Sequence, residues 1–151
     1  MKPDRIYIIR DAEKPVDPAN RGLSLSGYSR ALLLARYLDR FYAPDFIFAA
    51  ASSKENCRPE LTMLPTAAHL NLPLNLDFAD ADFKKLARHL RKKKYDHKKV
   101  LICWHHGNIP VLVQALGVTH CAPIRENIFN RIWSLDLHFA VPILNVNEQP
   151  F

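Results

Sequence analysis

The sequence predicts an α/β fold, a three-layer α/β/α sandwich in which a mainly parallel sheet lies between helices. Two observations lead to this prediction. Short apolar runs alternate with amphipathic helical stretches along almost the whole chain, which is the pattern of strands joined by crossover helices. Two of the runs, at 5–10 and 100–104, end abruptly in charged or polar residues. Parallel strands end at the same edge of a sheet, and open α/β sheets bind their ligands there.

Each predicted element has a local signal. The strands are apolar runs rich in β-branched or aromatic residues, and we predict them at 5–10, 46–51, 72–76, 100–104 and 131–137. The helices have apolar residues at helical spacing, and we predict them at 24–38, 59–70, 84–94 and 109–116. Ser24 is a typical helix N-cap, Pro73 restricts the third strand to a sheet edge, and Gly117 ends the last helix. We expect the tail from 141 to 151 to be a poorly specified end.

Composition and length favour one globular domain over residues 1–151. The chain is 48% hydrophobic and 24% charged, as in ordinary water-soluble domains. No apolar run is long enough to cross a bilayer, and the first residues lead into a strand without a signal-peptide pattern. We therefore expect a cytoplasmic protein with no membrane partner. The three cysteines include no CxxC pair, and Cys103 is expected to be buried in its strand.

The net charge of +6 favours anionic ligands. Much of the excess lies in 84–94, where Leu86, Ala87 and Leu90 supply the apolar face of a basic helix. Such a helix usually has a solvated outer face, and no aromatic platform for nucleic acid accompanies it. A basic nucleic-acid-binding domain is therefore the last-ranked hypothesis.

Three cationic side chains follow the predicted strands in an order that indicates a phosphate site. Arg10 ends the first strand, Arg58 precedes the second helix, and His106 follows the strand at 100–104. Arginines offer forked donors that match phosphate oxygens, and a protonated histidine adds another donor. In an extended segment His105 and His106 would face opposite sides. We assign His106 to the pocket because it precedes Gly107, and His105 to a structural role.

The same residues also have structural interpretations that involve no ligand. Arg10 and Glu13 would form a surface ion pair worth about 0–1 kcal/mol. Arg58 at a helix start interacts poorly with the helix dipole, however, and a bound anion would explain its position. The histidines and cysteines lack metal-ligand spacing. We expect no metal and no cofactor.

Three motifs resemble those of the histidine phosphatase (phosphoglycerate mutase-like) superfamily. They are Arg-Asp-Ala-Glu at 10–13, Arg-Pro-Glu-Leu-Thr at 58–62 and His-Gly at 106–107. The segment at 20–27 and the strand containing Trp133 extend the resemblance over about nine-tenths of the chain. The resemblance implies a phosphoglycerate mutase-like fold, phosphate binding by Arg10, Arg58 and His106, and hydrolysis of a phosphate monoester without a cofactor.

Asp11 occupies the position of the family's nucleophilic histidine. A carboxylate there repels a phosphate dianion and attracts Arg10, Arg58 and protonated His106, so we hypothesise a self-capped pocket with impaired or absent hydrolysis. A natural pseudoenzyme, an engineered substitution and an enzyme with an aspartyl-phosphate intermediate all fit this residue. Asp80 and Asp82 are the possible general acids.

Two functions remain open for this pocket. The first is a phosphatase whose nucleophile position is altered, and the second is a catalytically inactive binding or regulatory module for phosphorylated ligands. Sugar phosphates, nucleotides and phosphoproteins all present the same phosphoryl group. The predicted partner is therefore phosphate, a phosphorylated small molecule or a phosphoprotein.

Overall fold

The computed structural model describes residues 2–151. Its six strands form one sheet in the order β3-β2-β4-β1-β5-β6. The strands are β1 (Arg5–Arg10), β2 (Phe46–Ala49), β3 (Leu74–Asn75), β4 (Lys99–Trp104), β5 (Arg131–Asp136) and β6 (Ile143–Glu148). Strands β1 to β4 are parallel, whereas β5 and β6 are antiparallel to their neighbours. The predicted α/β fold with a mainly parallel sheet is confirmed.

Helices cover both faces of this sheet. They are α1 (Leu25–Phe41), α2 (Arg58–Leu70), α3 (Phe83–His89) and α4 (Ile109–Ala115), with short 3-10 turns at Asp80–Asp82, Lys93–Tyr95 and His106–Asn108. Leu34 and Met63 of α1 and α2 pack with Ile9 on one face. Leu86 and Leu112 of α3 and α4 pack on the other face. Because β1 and β4 are buried by both layers, they consist of almost continuous apolar residues.

The start of α1 is fixed by a cap and by a close backbone approach. The Ser24 hydroxyl accepts a hydrogen bond from the Gly27 N–H at 3.1 Å, as predicted for an N-cap. A Cβ on Gly27 would lie 2.4 Å from the backbone oxygen of Glu13. Only glycine therefore lets α1 pack this closely against the segment that follows β1.

The basic segment forms a shorter helix than predicted. Helix α3 ends at His89, and a separate 3-10 turn covers Lys93–Tyr95. Tyr95 is 1% exposed, and its hydroxyl lies 2.7 Å from Nε2 of His89. The chain leaves the helix because Tyr95 has to enter the core, and the run of like charges at 91–94 adds no helical support.

The prediction of a poorly specified tail at 141–151 is wrong. Residues Ile143–Glu148 pair with β5 as the antiparallel strand β6, and Gln149 is 3% exposed. Most side chains of β6 are exposed. The strand therefore lacks the apolar run that would identify it, and its backbone pairing with β5 holds it in place. None of the helices in residues 2–151 combines the length and apolar character that a membrane span requires.

Candidate functional site

The candidate site lies at the carboxyl ends of β1 and β4. These strands are parallel neighbours, and Arg10 is paired in register with Trp104. The residues that follow, Asp11 and His105, therefore leave the sheet side by side. Arg58 approaches the same edge as the first residue of α2. The structure thus places the three segments together at one edge of the sheet.

Arg10 is buried, and part of its guanidinium group is hydrogen-bonded to backbone oxygens. It is 4% exposed, and its Nη1 donates to the carbonyls of Glu126 at 2.7 Å and Ile128 at 3.0 Å. Its guanidinium carbon lies 3.9 Å from the centre of the Phe129 ring. Burial lowers the pKa of Arg10, and the Asp11 charge opposes that shift. The buried Nε has no hydrogen-bond acceptor in the described chain and lies 3.9 Å from Oδ1 of Asp11.

Asp11 lies between the two arginines. It is 2% exposed, with Oδ2 at 3.4 Å from Nε of Arg58 and Oδ1 at 3.9 Å from Nε of Arg10. Oδ1 is buried and has no hydrogen-bond partner among residues 2–151. A buried carboxylate is stabilised only by nearby cations and donors, and for Asp11 the two arginines supply the nearby cations.

The first turn of α2 is linked to the segment after β1. The Thr62 hydroxyl donates to the Arg58 carbonyl at 2.7 Å and accepts from the Ala12 N–H at 2.9 Å. Asn56 accepts from the Arg58 N–H at 2.8 Å. The sequence predicts no role for Thr62, although this residue lies in the motif at 58–62. This bridge fixes the distance between the backbone of Arg58 and the residue next to Asp11.

The prediction that His105 and His106 face opposite sides is wrong. A 3-10 turn begins at His106, so the backbone is not extended there, and the two rings stack with centres 4.7 Å apart. Nδ1 of His105 accepts from the Gly107 N–H at 3.3 Å, whereas Nδ1 of His106 is buried without a partner in the described part of the chain. Burial, followed by the charges of Arg10 and His105, lowers the pKa of His106.

The two candidate acids occupy different environments. Oδ2 of Asp80 accepts from the Asn108 amide at 2.9 Å, and its Oδ1 is buried and unpartnered within residues 2–151. Burial raises the pKa of Asp80, and His105 opposes this shift. Asp82 instead lies on the surface, 3.7 Å from Nζ of Lys85. The structure thus brings Asp80 to the site and leaves Asp82 outside it.

A cavity of about 400 Å³ opens beside the histidine pair. It lies between the loop after β2, the start of α2 and the turn that carries Asp80, and its lining includes Ser53, Asn56 and His105. Pro59, the residue after Arg58, also lines the cavity, whereas Arg58 and His106 do not. Glu13 lies elsewhere and binds Arg30 at 2.8 and 3.0 Å. The surface pair with Arg10 that was considered for it therefore does not form. Residues 2–151 contain no cluster of three potential metal ligands.

The part of the site that comes from 126–129 was not predicted from the sequence. The carbonyls of Glu126 and Ile128 and the ring of Phe129 hold Arg10 from more than a hundred residues away. Any residue has a carbonyl, so no sequence signal marks the first two. Asn108 could have been suspected because it follows His106 by two residues.

Comparisons with known proteins identify the fold. No family model and no curated protein matches this chain. Among solved structures, the protein histidine phosphatase SixA complexed with tungstate is 17% identical, with a TM-score of 0.70 over 95% of this chain and 96% of that one. Phosphoserine phosphatase from Entamoeba histolytica, bound to 3-phosphoglyceric acid, is 13% identical, with a TM-score of 0.67 over 97% and 98%.

A mycobacterial glucosyl-3-phosphoglycerate phosphatase with inorganic phosphate is also similar. It is 12% identical, with a TM-score of 0.64 over 95% of each chain. Nearly the whole length is shared in all three comparisons, which agrees with the order of the strand-end motifs. The chain therefore has the phosphoglycerate mutase-like fold of the histidine phosphatases.

Proposed function

We propose that this protein binds the phosphoryl group of a phosphate monoester between Arg10, Arg58 and His106, and that Asp11 suppresses hydrolysis there. The observation that carries the proposal is the position of the Asp11 carboxylate, 3.4 Å from Nε of Arg58 and 3.9 Å from Nε of Arg10. Asp11 thereby neutralises, within the chain, the charges that a phosphate would otherwise neutralise. The pocket is self-capped.

The size of the electrostatic effect supports impaired binding. Two unit charges 4 Å apart interact by about 4 kcal/mol at an effective dielectric of about 20. A phosphate dianion near the arginines would have to lie close to the buried carboxylate of Asp11, because both anions need the same cations. Hydrolysis is further impaired because Asp11 replaces the neutral imidazole that attacks phosphorus in the family this chain resembles.

Two further side chains have roles in this proposal. His106 has a lowered pKa in the free protein because it is buried and lies near Arg10, and an approaching phosphate dianion would favour its protonated form. Asp80 retains its proton to higher pH than an ordinary aspartate because it is buried. We assign it the role of proton donor to the leaving oxygen, held in place by the amide of Asn108.

The structural neighbours support a phosphorylated ligand. Their structures contain tungstate, inorganic phosphate, 3-phosphoglyceric acid or phosphoserine, and all four carry a tetrahedral oxyanion or a phosphoryl group. For this chain we propose the same ligand class.

We further propose that residues 1–151 act as one domain, since all six strands join one sheet. We also propose that the protein is cytoplasmic, since its three cysteines are unpaired.

The same site favours a second function, a binding module that recognises phosphorylated ligands without turnover. The cationic residues of the pocket include buried atoms without partners in the described chain, namely Nε of Arg10 and Nδ1 of His106. Buried polar groups of this kind cost stability unless a ligand satisfies them. Ligand binding therefore has a physical basis that does not depend on a nucleophile.

The test is hydrolysis of p-nitrophenyl phosphate by the parent chain and by Asp11→His, with and without magnesium. We expect no turnover above background in the parent and measurable metal-independent turnover in Asp11→His. Adding Arg58→Met to Asp11→His should abolish the gain, and circular dichroism would verify that each variant is folded. Parent turnover that Asp11→Asn abolishes would overturn the proposal and identify Asp11 as a nucleophile.

A further inference from the structure

The positive charge of this protein is concentrated in one segment. Residues 84–99 contain nine of the 21 lysines and arginines but only one of the 15 acidic residues. This segment therefore carries a charge of +8, whereas the rest of the chain carries −2. The net charge of +6 therefore arises from one segment of the chain and not from the whole molecule.

All nine cationic side chains of the segment are exposed, and we call them the basic surface. They are Lys84, Lys85, Arg88, Arg91, Lys92, Lys93, Lys94, Lys98 and Lys99. Within the described residues the basic surface makes one ion pair, from Lys85 to Asp82 at 3.7 Å. Lys94 contacts the Tyr95 ring, with Nζ 5.1 Å from its centre. The charges are thus left largely uncompensated by the protein itself.

The basic surface begins beside the candidate site. The turn Asp80–Asp82 leads directly into α3, and both Asp80 and Ala81 line the cavity next to the histidine pair. Lys84 and Arg88 are four residues apart in α3, about 6 Å along the helix axis. The basic surface therefore runs from the rim of the cavity along α3 and away from it.

We propose that the basic surface docks an acidic polypeptide segment and directs a phosphorylated residue of that segment into the pocket. Delivery of the phosphorylated residue to the pocket rests on the function proposed for that pocket. Acidic side chains complement the nine exposed cations, and clustered charge of one sign attracts a partner of the opposite sign over a distance set by ionic strength.

The aromatic residues of the segment disfavour nucleic acid as the partner. Binding of single strands relies on exposed rings on which bases stack. Tyr95 is 1% exposed, and Phe83, which directly precedes the segment, packs against the core. The His89 ring lies 5.0 Å from that of Phe78. The segment thus offers cations without an exposed phenylalanine, tyrosine or tryptophan ring, which suits carboxylates better than bases.

The experiment measures binding of a labelled peptide of eight glutamates followed by phosphoserine, and of its unphosphorylated twin, by fluorescence anisotropy at low salt. Lys84→Gln combined with Arg88→Gln should weaken binding of both peptides about tenfold, the loss expected for two exposed ion pairs. The matched control is Arg36→Gln with Arg40→Gln. It removes the same charge at the same spacing from exposed positions of α1 and should change the affinity less than twofold.

Several outcomes would overturn the docking proposal. They are no binding of either peptide, an equal loss in both double variants, and tighter binding of a single-stranded DNA of the same charge. Failure of the pocket has a different signature. If the unphosphorylated peptide binds as expected but phosphoserine adds no affinity even in Asp11→Asn, the docking surface stands and the assignment of the pocket fails.

Discussion

The two ends of β1 carry the same kind of side chain in opposite environments. Arg5 starts the strand with a side chain that is 39% exposed, and its Nη1 lies 3.2 Å from Oδ2 of Asp136. Arg10 ends the strand almost fully buried, with Nε 3.9 Å from Oδ1 of Asp11. The first arginine has a partly exposed carboxylate as its partner, whereas the second shares a buried carboxylate with Arg58.

The neighbours of the two arginines extend this difference. At the amino end, Asp4 contacts His97 at 3.4 Å and His138 at 3.3 Å, and His138 contacts Asp136 at 2.9 Å. These groups are accessible to water, where ion pairs contribute little. At the carboxyl end, buried polar atoms of Arg10, Asp11 and His106 have no partner in the described chain. Unsatisfied buried atoms lower stability, and the grouping of three of them on Arg10, Asp11 and His106 supports the ligand site proposed for this end.

The largest effect is expected from Arg10→Met. Methionine retains part of the aliphatic bulk but leaves Asp11 buried with one cation fewer, and the carbonyls of Glu126 and Ile128 lose their donor. Removal of one partner from a buried ion pair costs about 3–5 kcal/mol. Urea denaturation should show a loss of this size in the free energy of unfolding. A loss below about 1 kcal/mol would mean that water or other groups satisfy this end of β1 equally well.

A smaller effect concerns the protonation of His106. Burial lowers the pKa of His106, and the negative charge of Asp11 partly offsets that shift. Asp11→Asn removes the carboxylate that favours the imidazolium ion, so the pKa of His106 should fall further. Histidine side-chain NMR signals followed between pH 5 and 8 would measure it, with exposed His138 as the internal reference. A rise in the pKa of His106 would contradict the placement of Asp11 beside it.

The smallest effect is expected from Arg5→Met, the counterpart of Arg10→Met. Arg5 loses one solvent-accessible ion pair and no buried contact, so the urea midpoint should stay within experimental scatter of the parent. Equal losses in the two variants would remove the difference between the ends of β1. Buried, unsatisfied charge would then not distinguish the carboxyl end of β1 from its amino end.

The strands whose side chains are buried can be located from the sequence alone. Strands β1 and β4 are continuous apolar runs because both sheet faces cover them, and this pattern is visible without a structure. Strand β6 was missed because Asn145, Asn147 and Glu148 are exposed and only backbone pairing with β5 defines it. A strand that packs little of its surface leaves little trace in the sequence.

The candidate site was predictable to a similar degree. Arg10 ends β1, Arg58 starts α2, and His106 closely follows β4. The topology alone therefore brings these residues to one edge of the sheet. The stacking of the His105 ring on His106 depends on a local 3-10 turn, which no periodicity indicates. The support of Arg10 by the 126–129 segment depends on backbone carbonyls brought close by tertiary folding.

The most direct measurement is phosphate binding by the parent chain and by Asp11→Asn in isothermal titration calorimetry. If Asp11 competes with phosphate for Arg10 and Arg58, the neutral and nearly isosteric asparagine should raise the affinity at least about tenfold. A tenfold change corresponds to about 1.4 kcal/mol, a fraction of the repulsion between close charges. Adding Arg58→Met should remove the gain. An affinity that is unchanged or weaker in Asp11→Asn would contradict the self-capped pocket.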